Sequence, residues 1–325
     1  MEEHPASETS CDSELGGAET AEPTDQPDAP QFAQLRPSLE TSPVHTAARG
    51  PSVSDVGPAS RPAASATAAF VYAIGRVEPR FPSLAVEKEF AQVTGRDSTE
   101  GLTDREALLK VISDRSNRYL VRQLCWVFLI ENLETYVLVP NDPADFDLLI
   151  EAVRAEPRRD DLDVVIGTRG PLAPPDVCGG LDVPVLVFDQ LYSFDRDSLV
   201  ASVPRPGSIP QKDESKFRSA VAELADRIMQ MADNAGATDE HRALNYLAVR
   251  YPAIYAMAAE AHARNASPRG VEVRSSPLSD ARAIVEVIFS QTHRETDVTE
   301  KSFVRVDVTE EFPFLVTKLS PFYEL

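Results

Sequence analysis

The sequence predicts an α+β protein, in which an N-terminal mixed α/β half is followed by a helical hairpin and a C-terminal antiparallel β meander. Three observations predict it. Short β-rich apolar runs alternate with helical spacings up to about residue 204, a long amphipathic stretch comes next, and the chain closes on runs with the period of strands.

The first strand is read at AAFVYAIGRVEPRFPS, from Phe70 to Ile74, with Pro79 and Pro82 stopping it. In SLAVEKEFAQV, Leu84, Glu87 and Lys88 stand at helical offsets, and TDREALLKVI opens on a capping box from Thr103 to Glu106. Two apolar runs, Cys125 to Ile130 and Thr135 to Val139, flank the polar ENLE, which suggests a hairpin with a four-residue loop; a buried helix could mimic the first run. DPADFDLLIEAVRAEP reads as a helix ended by Pro157, and LDVVIG and VPVLVFDQLYSF as buried strands.

The proline-rich VPRPGSIPQKD divides residues 69–204 from residues 205–325. Beyond it Phe217, Val221, Leu224, Ile228 and Met231 mark one helix face. Gly236 is expected to end that helix, Thr238 to cap the next with Asp239 and Glu240 in its first turn, and Pro252 to break it. The meander follows in ARAIVEVIFSQTHR, KSFVRVDVTEEF and PFLVTKLS, with Val304, Val306 and Val308 on one face and Phe303, Arg305, Asp307 and Thr309 on the other.

Composition narrows the function. With 42% hydrophobic residues the chain is globular on average, but residues 1–68 are rich in Pro, Ser, Thr, Ala, Asp and Glu and hold one aromatic, Phe32. Such a segment cannot bury enough apolar surface to offset its ordering entropy, so a disordered acidic tail is expected there. A net charge of -20 opposes nucleic acid as a partner. No apolar stretch suits a membrane span or a secretory signal, and Cys11, Cys125 and Cys178 show no pairing or metal spacing; a cytoplasmic location is expected.

Known catalytic and cofactor motifs are missing, so no cofactor is expected and the balance leans away from an enzyme. Cys178 and His241 are the weak metal candidates, with Asp239 as a conceivable companion, although a helix first turn and a loop account for them better. Arg242, Asn245, Tyr246, Arg250 and Tyr251 place polar and aromatic groups at helical offsets. Arg and Tyr concentrate at interface hot spots, so these residues, with Arg76, are the candidate binding set. Arg76, Glu78 and Arg80 could also staple a turn.

The stretches FVYAIGRVEPRFPSLAVEKEFAQ, RQLCWVF, VVIGTRGPLAPPDVC, FDQLYSFDRDSL, MADNAGATDEHRALNYLAVRYPAIYA and DVTEKSFVRVDVTEEFPFLVTKLSPFYEL occur in that order. Together they resemble the C-terminal domain of unknown function of the cyanobactin maturation proteases PatG and PatA, from about Phe70 to Leu325. The resemblance implies an accessory of proteases that cut and macrocyclise ribosomally made peptides. No subtilisin-like domain precedes the shared region here, so a free-standing protein without protease or macrocyclase activity is expected. The leading expectation is a non-catalytic protein that binds a precursor peptide or a peptide-modifying enzyme along an edge of the meander. The alternatives are a metal-assisted enzyme using His241, Asp239 and Cys178, and a homodimeric scaffold.

Overall fold

The computed structural model describes residues 69–95, 102–207, 209–229 and 234–323; the tail expected over residues 1–68 lies outside them, as does Met231. Strand β1 (Phe70–Arg80) continues through Pro79 instead of stopping after Ile74. The reason is a change of partner along its length. Phe70 to Gly75 pair with β4 (Asp161–Leu172), and Arg76 to Arg80 pair with β2 (Cys125–Ile130). Pro79 therefore sits where β1 is paired on one edge only, and its missing N–H leaves no gap on the β4 side.

Gly75 marks the crossover, since a Cβ there would run into the carbonyl oxygen of Leu129 and lie 2.8 Å from the Phe128 ring. Just beyond it the buried Asp163 carboxylate replaces the lost ladder. It accepts from Val77 N–H at 2.7 Å, from Ser193 Oγ at 2.6 Å and from Arg154 at 3.1 Å.

Between β1 and β2 lie α1 (Leu84–Thr94), α2 (Asp104–Ser113) and the short α3 (Arg118–Val121). The Thr103–Glu106 capping box is present. β2 and β3 (Leu133–Pro140) form the expected hairpin, but its loop is two residues long. Glu131 and Asn132 both adopt positive φ, the twist that suits a two-residue connection, and Leu133 and Glu134 join the ladder. α4 (Phe146–Ala152) ends before the expected Pro157; β5 (Pro184–Asp195) then pairs parallel with β3 and antiparallel with β4. The five strands close as a barrel in the order β1-β2-β3-β5-β4.

α5 (Arg196–Ser202) leads to α6 (Glu214–Met229), whose Phe217, Val221, Leu224 and Ile228 are buried as the spacing predicts. α7 (Asp239–Arg250) starts on Thr238, whose hydroxyl accepts from His241 N–H, and Pro252 separates it from α8 (Ala253–Ala263). The C-terminal sheet contains β6 (Ala266–Ser275), β7 (Ile284–His293), β8 (Thr299–Asp307), and the two-residue β9 (Phe314–Leu315) and β10 (Ser320–Pro321). All its pairings are antiparallel. β6 was hidden in the sequence because ASPRGVEVRS carries Pro268 and Gly270, and the strand bulges between them.

Alternation along β1 feeds two cores. Val71 and Ala73 pack with buried residues of α1 to α4. Tyr72 and Ile74 share a cluster with α6, α7, α8 and the inner face of the C-terminal sheet, including Val285, Val287, Val304, Val306 and Val308. The residues before and after Val203 thus contribute to one continuous buried cluster.

Candidate functional site

The expected binding helix, α7, faces inward. Arg242 is 3% exposed, and its guanidinium donates to the carbonyl oxygens of Val308 at 2.6 Å, Glu310 and Glu311 at 3.2 Å. Asp239 lies 3.5 Å away and the Phe70 ring 5.3 Å away. Asn245, 1% exposed, donates to Tyr72 O at 2.8 Å and to Asn234 Oδ1 at 3.1 Å. These two residues tie α7 to β1 and to the turn after β8. Both side chains are buried and bonded mainly to the chain's own backbone, which corrects the expectation that they form an exposed recognition surface.

The remaining members of the set divide between two places. Tyr246 meets Tyr72 edge-to-face with centroids 6.4 Å apart, and Arg250 lies 5.1 Å over the Tyr192 ring. Tyr251 Oη accepts from Leu319 N–H at 3.0 Å, holding the C-terminal segment. Arg76 is remote from them: it donates to Asn132 in the hairpin turn, while Arg80 pairs with Glu134. The turn expected after Ile74 is absent, since β1 runs on to Arg80, and these arginines instead reach across to the β2–β3 hairpin.

The metal reading does not assemble. Cys178 is disulfide-bonded to Cys125, with Cα atoms 5.1 Å apart, beside Val127, Leu129 and Val137. This corrects the expectation that the cysteines are unpaired, and a sequence separation of 53 hid the relation. His241 and Asp239 occupy the first turn of α7. Among the described residues no group of three or more His, Cys, Asp or Glu is placed to hold a metal ion.

The turn clamped by Arg242 carries a titrating group. Burial, then the hydrogen-bonded Asp189 carboxyl, push Glu311 up to about 7, with Arg242 opposing. A folded-state pKa raised above the ordinary 4.5 makes a contribution that is complete below about pH 4.5 and lost as pH rises through about 7. Thermal unfolding scans are expected to show the midpoint falling between about pH 5 and pH 8, and Glu311→Gln to flatten that decline.

The C-terminal sheet offers the recognition element that α7 lacks. Its two long edges differ: β8 is covered by the chain's own β9 and β10, whereas among the described residues β6 pairs only with β7. Ser276 N–H donates to Ile284 O at 2.8 Å, so by alternation the N–H groups of Arg274 and Glu272 also face β7. Those of Val271, Val273 and Ser275 face away from the sheet. Across the outer face, Arg305, Glu286 and Arg274 stand directly opposite one another on β8, β7 and β6. Glu286, 2% exposed, accepts from Arg305 Nε at 2.8 Å and from Arg274 at 3.2 Å.

Residues 211–322 match the family model described as PatG C-terminal. A search of solved structures finds the PatG domain of unknown function, with a TM-score of 0.64 and 18% identity, covering 78% of this chain and 99% of that one. The chain is thus similar to the PatG C-terminal family over residues 211–322 and to the PatG domain in fold. No curated protein matches it.

The family match runs from before α6 through β10, and so contains the α7 clamp and both edges of the C-terminal sheet. The barrel lies ahead of the matched residues and is reached by the structural likeness alone. Among the described residues the C-terminal sheet thus leaves the outer edge of β6 open, with its inner edge laddered to β7.

Proposed function

We propose that the chain is a non-catalytic accessory protein of ribosomal peptide natural-product biosynthesis, and that it binds a precursor peptide or a segment of a modifying enzyme as an added strand on β6. The observation that carries this reading is the unpaired edge at Val271, Val273 and Ser275, beside an opposite edge that the chain closes itself. Backbone hydrogen bonds at such an edge supply affinity, and side chains at alternate positions supply selectivity. The likeness to the PatG domain supports the peptide context. Among the described residues the metal-assisted alternative has no assembled centre to support it, and Cys178 is bonded to Cys125.

The test is titration with precursor peptides and with the peptide-modifying enzymes encoded beside the gene, followed by anisotropy or calorimetry. Binding in the micromolar range is expected, and Val273→Pro is expected to weaken it at least about tenfold by removing an outward donor without touching the β6–β7 ladder. Binding that Val273→Pro leaves intact, or no binding to any of them, sinks the reading.

A further inference from the structure

The open edge of β6 is complementary to itself, and we infer that its partner in the isolated protein is the β6 of a second copy, paired antiparallel about Val273. Three features of the strand agree. First, the N–H groups facing outward belong to Val271, Val273 and Ser275, as shown by the Ser276 to Ile284 hydrogen bond and strand alternation. A two-fold axis at Val273 sets Val273 against its counterpart and Val271 against Ser275, so every outward donor meets an outward carbonyl.

Second, the residues between them, Glu272 and Arg274, fall at the non-hydrogen-bonded positions, where opposing side chains come closest. In this register Arg274 of each copy stands opposite Glu272 of the other. Both side chains are about half exposed, at 44% and 54%, and they point to the same face of the sheet. Third, the row Arg305, Glu286, Arg274 alternates in sign from β8 to β6. Glu272 of the second copy continues that alternation by one more strand. A shift of two residues loses both opposite-charge pairs and sets Arg274 against Arg274 in one direction or Glu272 against Glu272 in the other, so the charges select the register as well as the partner.

A joint of one strand pair buries less than a standard interface, so the association is weak and reversible. It occupies the same backbone groups as the proposed peptide, so peptide binding and pairing of copies exclude each other. That competition rests on the peptide reading; the pairing itself does not.

Sedimentation velocity on the full chain, over about a hundredfold range of concentration, tests the inference. Wild type is expected to move from monomer to dimer. Glu272→Lys sets lysine against Arg274 twice and is expected to raise the dissociation constant about tenfold or more. Arg274→Glu sets two acids together and is expected to do the same. An equal mixture of the two variants restores both opposite-charge pairs, and is expected to regain the dimer that neither forms alone. A wild type that stays monomeric overturns the inference, and so does a dimer indifferent to Glu272→Lys and Val273→Pro. Peptide binding by a strictly monomeric protein leaves the proposed function standing and removes only the pairing of copies.

Discussion

Arg242→Ala is expected to lower the unfolding free energy by about 3–5 kcal/mol, the cost of breaking a buried, hydrogen-bonded charge network. The side chain holds three carbonyls of the turn after β8, at Val308, Glu310 and Glu311, and each loses that bond when it is removed. It also fills space against Phe70 at the start of β1. Lysine keeps the charge but lacks the planar fork, so Arg242→Lys is expected to recover less than half of the loss. Urea unfolding followed by circular dichroism checks both values. An effect below about 1 kcal/mol would restore Arg242 to the list of surface recognition residues.

Gly236→Ala is expected to cost about 3 kcal/mol or more, and to leave much of the protein insoluble. Gly236 has a φ of +70°, and a Cβ there would collide with Tyr72 O and lie 2.7 Å from Ala73 Cα. The backbone is close because Tyr72 N–H donates to Gly236 O at 2.9 Å, which binds the approach to α7 onto the first strand. A left-handed residue alone costs an alanine about 1–2 kcal/mol, and the collision adds to it because neither partner is a movable side-chain end. Alanine substituted at Gly207, where an added Cβ meets nothing within 4 Å, is the control for glycine replacement as such.

The contrast between those two positions shows what the sequence could and could not convey. Local signals were legible: the Thr103–Glu106 box, the Thr238 cap, the Pro252 break and the alternation of Val304, Val306 and Val308 all depend on residues a few places apart. Gly236 was read as a helix stop, the usual local meaning of such a glycine, whereas its role is set by Tyr72, far away in the chain. Arg242 and Asn245 share this problem. Their spacing on α7 is the same whether they face solvent or a backbone carbonyl 173 residues away, as Asn245 does at Tyr72. β6 was missed for an opposite reason, since its proline and bulge suppress the strand pattern at the edge that carries the proposed function.

β1 sets a timetable for folding. Its first half is paired with β4, its second half with β2, and Tyr72 is bonded to both Gly236 and Asn245. The first strand of the barrel therefore waits during synthesis for partners on α7 and the turn before it, which emerge long after it, because contacts of wide sequence separation form late and fold slowly. Until α7 arrives, half of the N-terminal barrel's shared core, at Tyr72, Ile74, Val164 and Ile166, has nothing to pack against. Fragments ending near Val203 are expected to need a chaperone or the rest of the chain supplied in trans.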